Sequence, residues 1–160
     1  MIKLNLGCGD WRVPGFIGVD LYHPDSDVKA DVRSLPYADN SVDEIYSSHV
    51  IEHFDFHEGQ KVLREWYRVL KPGGWMATEQ PDLEKSCAAF LNADEKERVG
   101  NLYPHFFGMP WLPGGAHKFI YTFTQFKWTV EGIGFKNVHQ APAVRYINKE
   151  HISMKVICQK

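Results

Sequence analysis

IKLNLGCGDWRVPGFIGVD, residues 2–20, is the stretch on which the fold turns. Two short apolar segments, residues 2–6 and 16–19, have the length and flanks of buried parallel strands. Between them lies a loop carrying Gly7, Gly9, Pro14 and Gly15. Gly7 and Gly9 let the backbone turn sharply and let a ligand approach with no side chain in the way. Asp20 ends the second strand, where a carboxylate can accept hydrogen bonds from both hydroxyls of a ribose. A glycine turn after the first strand and an acid after the second is how open α/β sheets hold a nucleoside.

The chain has 160 residues, the size of one domain, and its 44% apolar and 14% aromatic content supports a real core. A formal charge of −2 leaves no basic footprint for nucleic acid or an anionic membrane. Cys8, Cys87 and Cys158 are odd in number and widely spaced, which points to reduced thiols in a cytoplasmic protein. Met1 leads straight into a strand with no signal peptide, and no apolar run approaches the roughly 20 residues of a membrane span. The expectation is a cytoplasmic protein with no membrane partner.

Seven short motifs follow Ile2 in a familiar order. They are Asn5-Leu6-Gly7-Cys8-Gly9, Gly18-Val19-Asp20, Ala30-Asp31-Val32 with Leu35-Pro36, Ser41-Val42-Asp43-Glu44-Ile45, Ile51-Glu52-His53, Leu70-Lys71-Pro72-Gly73-Gly74 and Gly134-Phe135-Lys136-Asn137-Val138. In that order the chain resembles a class I, Rossmann-like S-adenosylmethionine-dependent methyltransferase of the short kind. The match covers nearly the whole chain and thins over residues 94–122. No single motif is specific; their order carries the resemblance. It implies an α/β fold with a seven-stranded, mostly parallel sheet and an antiparallel C-terminal strand. It implies S-adenosylmethionine as methyl donor and S-adenosylhomocysteine as product. The cofactor set it implies is Asn5, Gly7, Cys8, Gly9, Asp10, Arg12, Asp20, Leu21, Asp31, Val32, Ser48 and His49. Asp31, with the Val32 backbone beside it, sits where the family contacts the adenine amino group; otherwise it is a loop acid capping a turn. Asp10 and Arg12 either hold the two ends of the methionine part or face solvent.

Two departures stand out. Asn5 occupies a position where the family usually has an acid, and Trp11 one where a third glycine is common. About six residues, Asp10 to Gly15, separate Gly9 from the second strand. The helix usual at this point has almost no room, so helical cover over the N-terminal half is reduced. Thin cover leaves sheet area that a second copy can bury, which admits a homodimer.

Further along, residues 28–31 read as a third strand at a sheet edge and residues 42–47 as a fourth, beside the first. Ser48, His49, Glu52 and His53 then fall on the working edge of the sheet. Residues 55–70 form a helix with Asp55 and Glu58 as a capping box. Its apolar face is Val62, Leu63, Trp66, Tyr67, Val69 and Leu70, and Lys71-Pro72-Gly73-Gly74 is its stop signal. Residues 75–80 read as a fifth strand, 83–91 as a helix capped by Asp82, and 94–102 as a short helix. Residues 101–128 hold nine aromatics among twenty-eight residues, interrupted by Pro104, Gly108, Pro110, Pro113, Gly114 and Gly115. This is an ordered long loop, read as a substrate-side wall or lid, or as a packed loop replacing missing helices. Thr124 is expected to cap a helix over 124–133, with Phe123 and Trp128 as a hydrophobic staple. Residues 135–139 and 153–158 complete the sheet as an antiparallel pair, joined by a long loop carrying Pro142 and Asn148. The whole is one domain, 1–160, with a cofactor half over 1–81 and a substrate-side half over 82–160.

Methyl transfer is an in-line displacement at a sulfonium methyl. Proximity and alignment lower its barrier, by about 7–11 kcal/mol in the best cases, and a base is needed only when the acceptor must lose a proton. Histidine suits that task near neutral pH. His49 and His117 are the candidate catalytic residues, with His57 and His105 behind them and His53 better suited to ordering its loop. Each is alternatively a hydrogen-bonded structural histidine. No metal is expected, because neither His49-x3-His53 nor His53-x3-His57 has a clear third ligand nearby, and Glu52 lacks metalloprotease spacing. Cys8 reads as a small filler between glycines. The acceptor is expected to be a small or sugar-like molecule rather than nucleic acid. A nicotinamide-dependent oxidoreductase is disfavoured: Gly-x-Gly is followed by Asp10-Trp11-Arg12, and Asp20 comes thirteen residues after Gly7. The remaining rival is a non-catalytic protein that keeps the fold as a cofactor sensor or as the partner of an active subunit. Asn5 and the trimmed helices keep that rival open.

Overall fold

Leu4 and Leu6 are fully buried, and they anchor β1 (Lys3–Leu6) inside a seven-stranded sheet. The computed structural model describes residues 1–112, 114–145 and 151–160. Pro113 and Asn148, named above, lie outside the described residues. The other strands are β2 (Ile17–Asp20), β3 (Val28–Lys29), β4 (Val42–Ser48), β5 (Leu70–Pro81), β6 (Lys136–Ala141) and β7 (Ser153–Gln159). Their order across the sheet is β3-β2-β1-β4-β5-β7-β6. Strands β1 to β5 pair in parallel, while β7 runs antiparallel to both β5 and β6. The sheet is therefore mostly parallel with one reversed strand near its C-terminal edge. The order reverses between β1 and β4, and a crevice opens there beyond the carboxyl ends of the strands.

The long helix α1 (Phe56–Val69) buries Val62, Leu63, Trp66 and Val69. The Asp55 side chain caps it by accepting from His57 N and Glu58 N, while the Glu58 carboxylate lies 3.5 Å from Lys118 Nζ. The Trp66 indole is fully buried and donates Nε1–H to the Val32 carbonyl at 3.0 Å. That bond satisfies the one polar atom of a large core ring and ties the core to the segment after β3. Helix α2 (Leu83–Asn92) is capped by Asp82. Short helices α3 (Glu95–Glu97) and α4 (Tyr103–Phe107) flank a π-type turn over Arg98–Leu102. Helix α5 (Phe123–Ile133) packs beside α1. No helix connects β1 to β2 or β2 to β3, so the N-terminal half is thinly covered.

Several local expectations are corrected. Thr122, not Thr124, caps α5, its hydroxyl accepting from Gln125 N at 3.1 Å. Trp128 is 70% exposed and makes no staple with Phe123, because the helix starts two residues earlier than its second threonine suggested. Lys71 to Gly74 do not follow α1 as a free turn. The helix ends at Val69, Leu70 is already extended, and the segment forms an irregular start to β5, with Gly73 at φ +80° and a register shift against Val42 and Glu44. The third strand is two residues long. The aromatic region also divides. Tyr121 and Phe126 are core residues with ring centroids 5.3 Å apart, whereas Trp111 is 73% exposed.

Candidate functional site

The glycine turn after β1 is held by both flanking strands. Gly7 N donates to Val19 O at 2.8 Å, and Gly7 itself sits at φ +62°. A methyl group added there would run into Val50 Cγ2. Gly7→Ala therefore meets both a left-handed backbone and a clash. It is expected to cost about 1–3 kcal/mol, or about 2–4 °C in Tm per kcal/mol for a chain of this size. An unchanged melting temperature would show that the turn relaxes freely.

Asp20 gathers the loop around its carboxylate. Oδ2 accepts from Gly9 N at 2.9 Å, and Oδ1 accepts from Tyr22 N at 2.8 Å and His23 N at 2.9 Å. Burial alone would push this carboxyl up, but the three backbone donors hold it below its usual value. The result is a fixed negative charge at the end of β2.

A cavity of about 690 Å³ opens from this point across the strand ends, within the range of small-molecule sites, about 300–1,000 Å³. Of the expected cofactor residues, Gly7, Asp20, Leu21, Asp31, Val32 and His49 line it. Asp31 is clamped by Arg33, whose Nη2 lies 2.6 Å from Oδ2, and this ion pair holds its carboxyl below the usual range. The other expected residues sit behind or beside the cavity. Asn5 is buried and donates Nδ2–H to Trp11 O at 2.7 Å. Arg12 staples the loop through Cys8 Sγ, Gly9 O and Asp25 O. Cys8 is buried, and burial pushes its thiol up, consistent with a filler. Asp10 is exposed and lies 3.2 Å from Arg145 Nη2. Ser48 is buried at the end of β4.

The far wall comes from the aromatic segment over residues 101–128, for which the sequence suggested either a substrate-side wall or lid or a packed loop. Pro110, Trp111, Leu112, Gly114, Ala116 and Lys118 line the cavity opposite Phe54 and Glu58. The chain returns there because Lys118 N and Phe119 N both donate to Glu52 O, at 2.7 and 3.2 Å.

That return builds a histidine cluster. His49 follows β4 at φ +55°, a left-handed conformation rare outside glycine, and such strain clusters at functional sites. Its Nδ1 lies 2.8 Å from Glu52 Oε1. Glu52 is 1% exposed. Burial alone would raise its carboxyl, but His49 first, then His53 and His117, hold it down to about 2. His117, a candidate base in sequence terms, is turned inward: Nδ1 lies 2.8 Å from His105 O, and Nε2 lies 3.9 Å from Glu52 Oε1. Burial pulls its pKa below the usual imidazole value, against the Glu52 carboxylate and the His105 carbonyl, which raise it. His105 is buried, with Nε2 2.9 Å from Ile152 O. No spacing in the sequence links His117 to Glu52; only the fold-back of the aromatic segment does.

Comparison with known proteins bears on the family and the fold. A family described as "Methyltransferase domain" matches residues 18–78. The ubiquinone/menaquinone biosynthesis C-methyltransferase UbiE of Geotalea daltonii is 34% identical over 114 residues, covering 68% of this chain and 47% of that protein. The chain thus spans about half the length of this curated relative. Among solved structures, a methyltransferase from Thermotoga maritima superposes with a TM-score of 0.65 at 16% identity, over 99% of this chain and 82% of the other. One from Archaeoglobus fulgidus gives 0.64 at 18%, over 99% and 85%. At these identities the structural likeness shows the fold. No helix among the described residues is long and apolar enough to cross a membrane.

Proposed function

Because the chain belongs to the class I, Rossmann-like family of S-adenosylmethionine-dependent methyltransferases, we propose that it transfers the methyl group of S-adenosylmethionine to a small-molecule acceptor. The observation that carries this reading is a continuous cavity running from Gly7 and Asp20 to His49, His53 and Trp111. Its near end offers a glycine turn and a fixed carboxylate, as a nucleoside requires. Its far end offers apolar walls and histidines, as an acceptor requires.

In this reading Asp20 takes the ribose hydroxyls and Asp31, with Val32, flanks the adenine. Residues 1–81 form the cofactor half, and residues 82–160 supply the wall that closes on the acceptor. Gly9, Asp10, Arg12, Asn5, Cys8 and Ser48 act by shaping the loop around the methionine part. His49, held by Glu52, is the base for an acceptor that must lose a proton. Its arrangement matches an imidazole oriented through Nδ1 by a buried carboxylate. Displacement then passes the methyl from sulfur to the acceptor and leaves S-adenosylhomocysteine. A homodimer, if formed, would cover the thin N-terminal face of the sheet.

The acceptor class is tested by a transfer assay with radiolabelled methyl donor against two panels. One holds hydroxylated sugars; the other holds phenolic quinone precursors, which the name of the Geotalea relative brings in. Turnover with either panel is the expected result. Cofactor binding without turnover on any acceptor would favour the non-catalytic reading.

A further inference from the structure

Glu52, His53 and His117 meet where the chain returns to the Glu52 carbonyl, and of the three His53 lines the cavity. A Glu52 oxygen and one ring nitrogen from each histidine lie within 4.8 Å of one another. Donors sharing one ion at about 2.0–2.2 Å sit roughly 3–4 Å apart, so small side-chain rotations close the set. We propose that Glu52, His53 and His117 bind one divalent transition-metal ion, zinc or a close relative, at the acceptor end of the cavity.

The surroundings are those of a built site. His53 Nδ1 lies 3.1 Å from Ala116 O, and His117 Nδ1 lies 2.8 Å from His105 O. A carbonyl only accepts, so each Nδ1 carries the proton and each Nε2 keeps its lone pair. A backbone carbonyl behind the ring is the usual support of a metal-bound histidine. Glu52 Oε2 has no hydrogen-bond donor among the described residues, though the side chain is buried. A carboxylate this deep calls for a cation or a full set of donors. Two nitrogens and one oxygen leave a position open, which is the pattern of a catalytic rather than a structural zinc. His53, Ala116 and Lys118 line the cavity, so the open position faces the place an acceptor would occupy. An ion there polarises an acceptor oxygen. That role rests on the methyltransferase reading; the binding of the ion does not.

The test uses tag-free chain stripped with a chelator. Co²⁺ is followed by visible absorption, Zn²⁺ by calorimetry and by metal content after dialysis. One ion per chain is expected, with at least tenfold weaker binding in His53→Gln and in His117→Gln. No retained ion in the wild type, or equal affinity in folded forms of both variants, overturns the site. Should a variant fail to fold, the wild-type Co²⁺ spectrum decides alone. Titration of the metal-free protein with S-adenosylhomocysteine separates the two claims. Nucleoside binding without metal binding removes the metal site and leaves the methyltransferase reading standing.

Discussion

Asp20→Ala is expected to weaken S-adenosylmethionine binding at least tenfold. Charge-assisted hydrogen bonds contribute about 1.5–3 kcal/mol each, so loss of both ribose contacts would carry the effect to a hundredfold or more. The structure adds a second cause. Asp20 also accepts from Gly9, Tyr22 and His23, so removing it unties the glycine turn as well as the sugar. Asp20→Asn separates the two. It keeps the shape and one acceptor oxygen but loses the charge, and should fall between wild type and alanine. Unchanged affinity in a folded Asp20→Ala protein would sink the assignment of this carboxylate.

His49→Asn is expected to lower kcat by about 100-fold or more, within the 10²–10⁴-fold range of general-base removal, on an acceptor that must be deprotonated. Asparagine is chosen because it tolerates the left-handed backbone that His49 adopts at φ +55°. The strand end is then preserved while the proton acceptor is lost. Glu52 remains buried beside a side chain that can still donate to it. The measurement is a split between kcat and donor affinity. A fall in kcat with donor affinity changed only severalfold supports the base, whereas a full kcat in the variant shows that alignment alone drives transfer.

The cofactor side of the molecule was the more legible in the sequence. Gly7, Gly9 and Asp20 lie within one short stretch, and their strand–turn–strand setting follows from local periodicity and turn chemistry. The strand order was legible only through the resemblance, since parallel pairing between β1 and β4 joins segments far apart in the chain. The acceptor side was legible only as a wall over residues 101–128 and a set of candidate histidines, not in its contacts. His117 reaches Glu52 because two backbone donors at Lys118 and Phe119 converge on the Glu52 carbonyl, and no pattern in residues 101–128 encodes that meeting. Smaller misplacements have the same origin. Thr122 and Thr124 are equally good caps by composition, and the packing of buried Tyr121 and Phe126 selects the first. Gly73 and Gly74 suit a helix stop as well as a strand irregularity, and pairing of Leu70 with Val42 makes them the latter.

The most direct measurement is a calorimetric titration of the wild-type chain with S-adenosylmethionine and S-adenosylhomocysteine. Saturable one-to-one binding of both in the micromolar range is the predicted result, and its weakening in Asp20→Ala would tie the nucleoside to the cavity that begins at Gly7 and Asp20. Absence of binding by either compound to the folded chain would contradict the account.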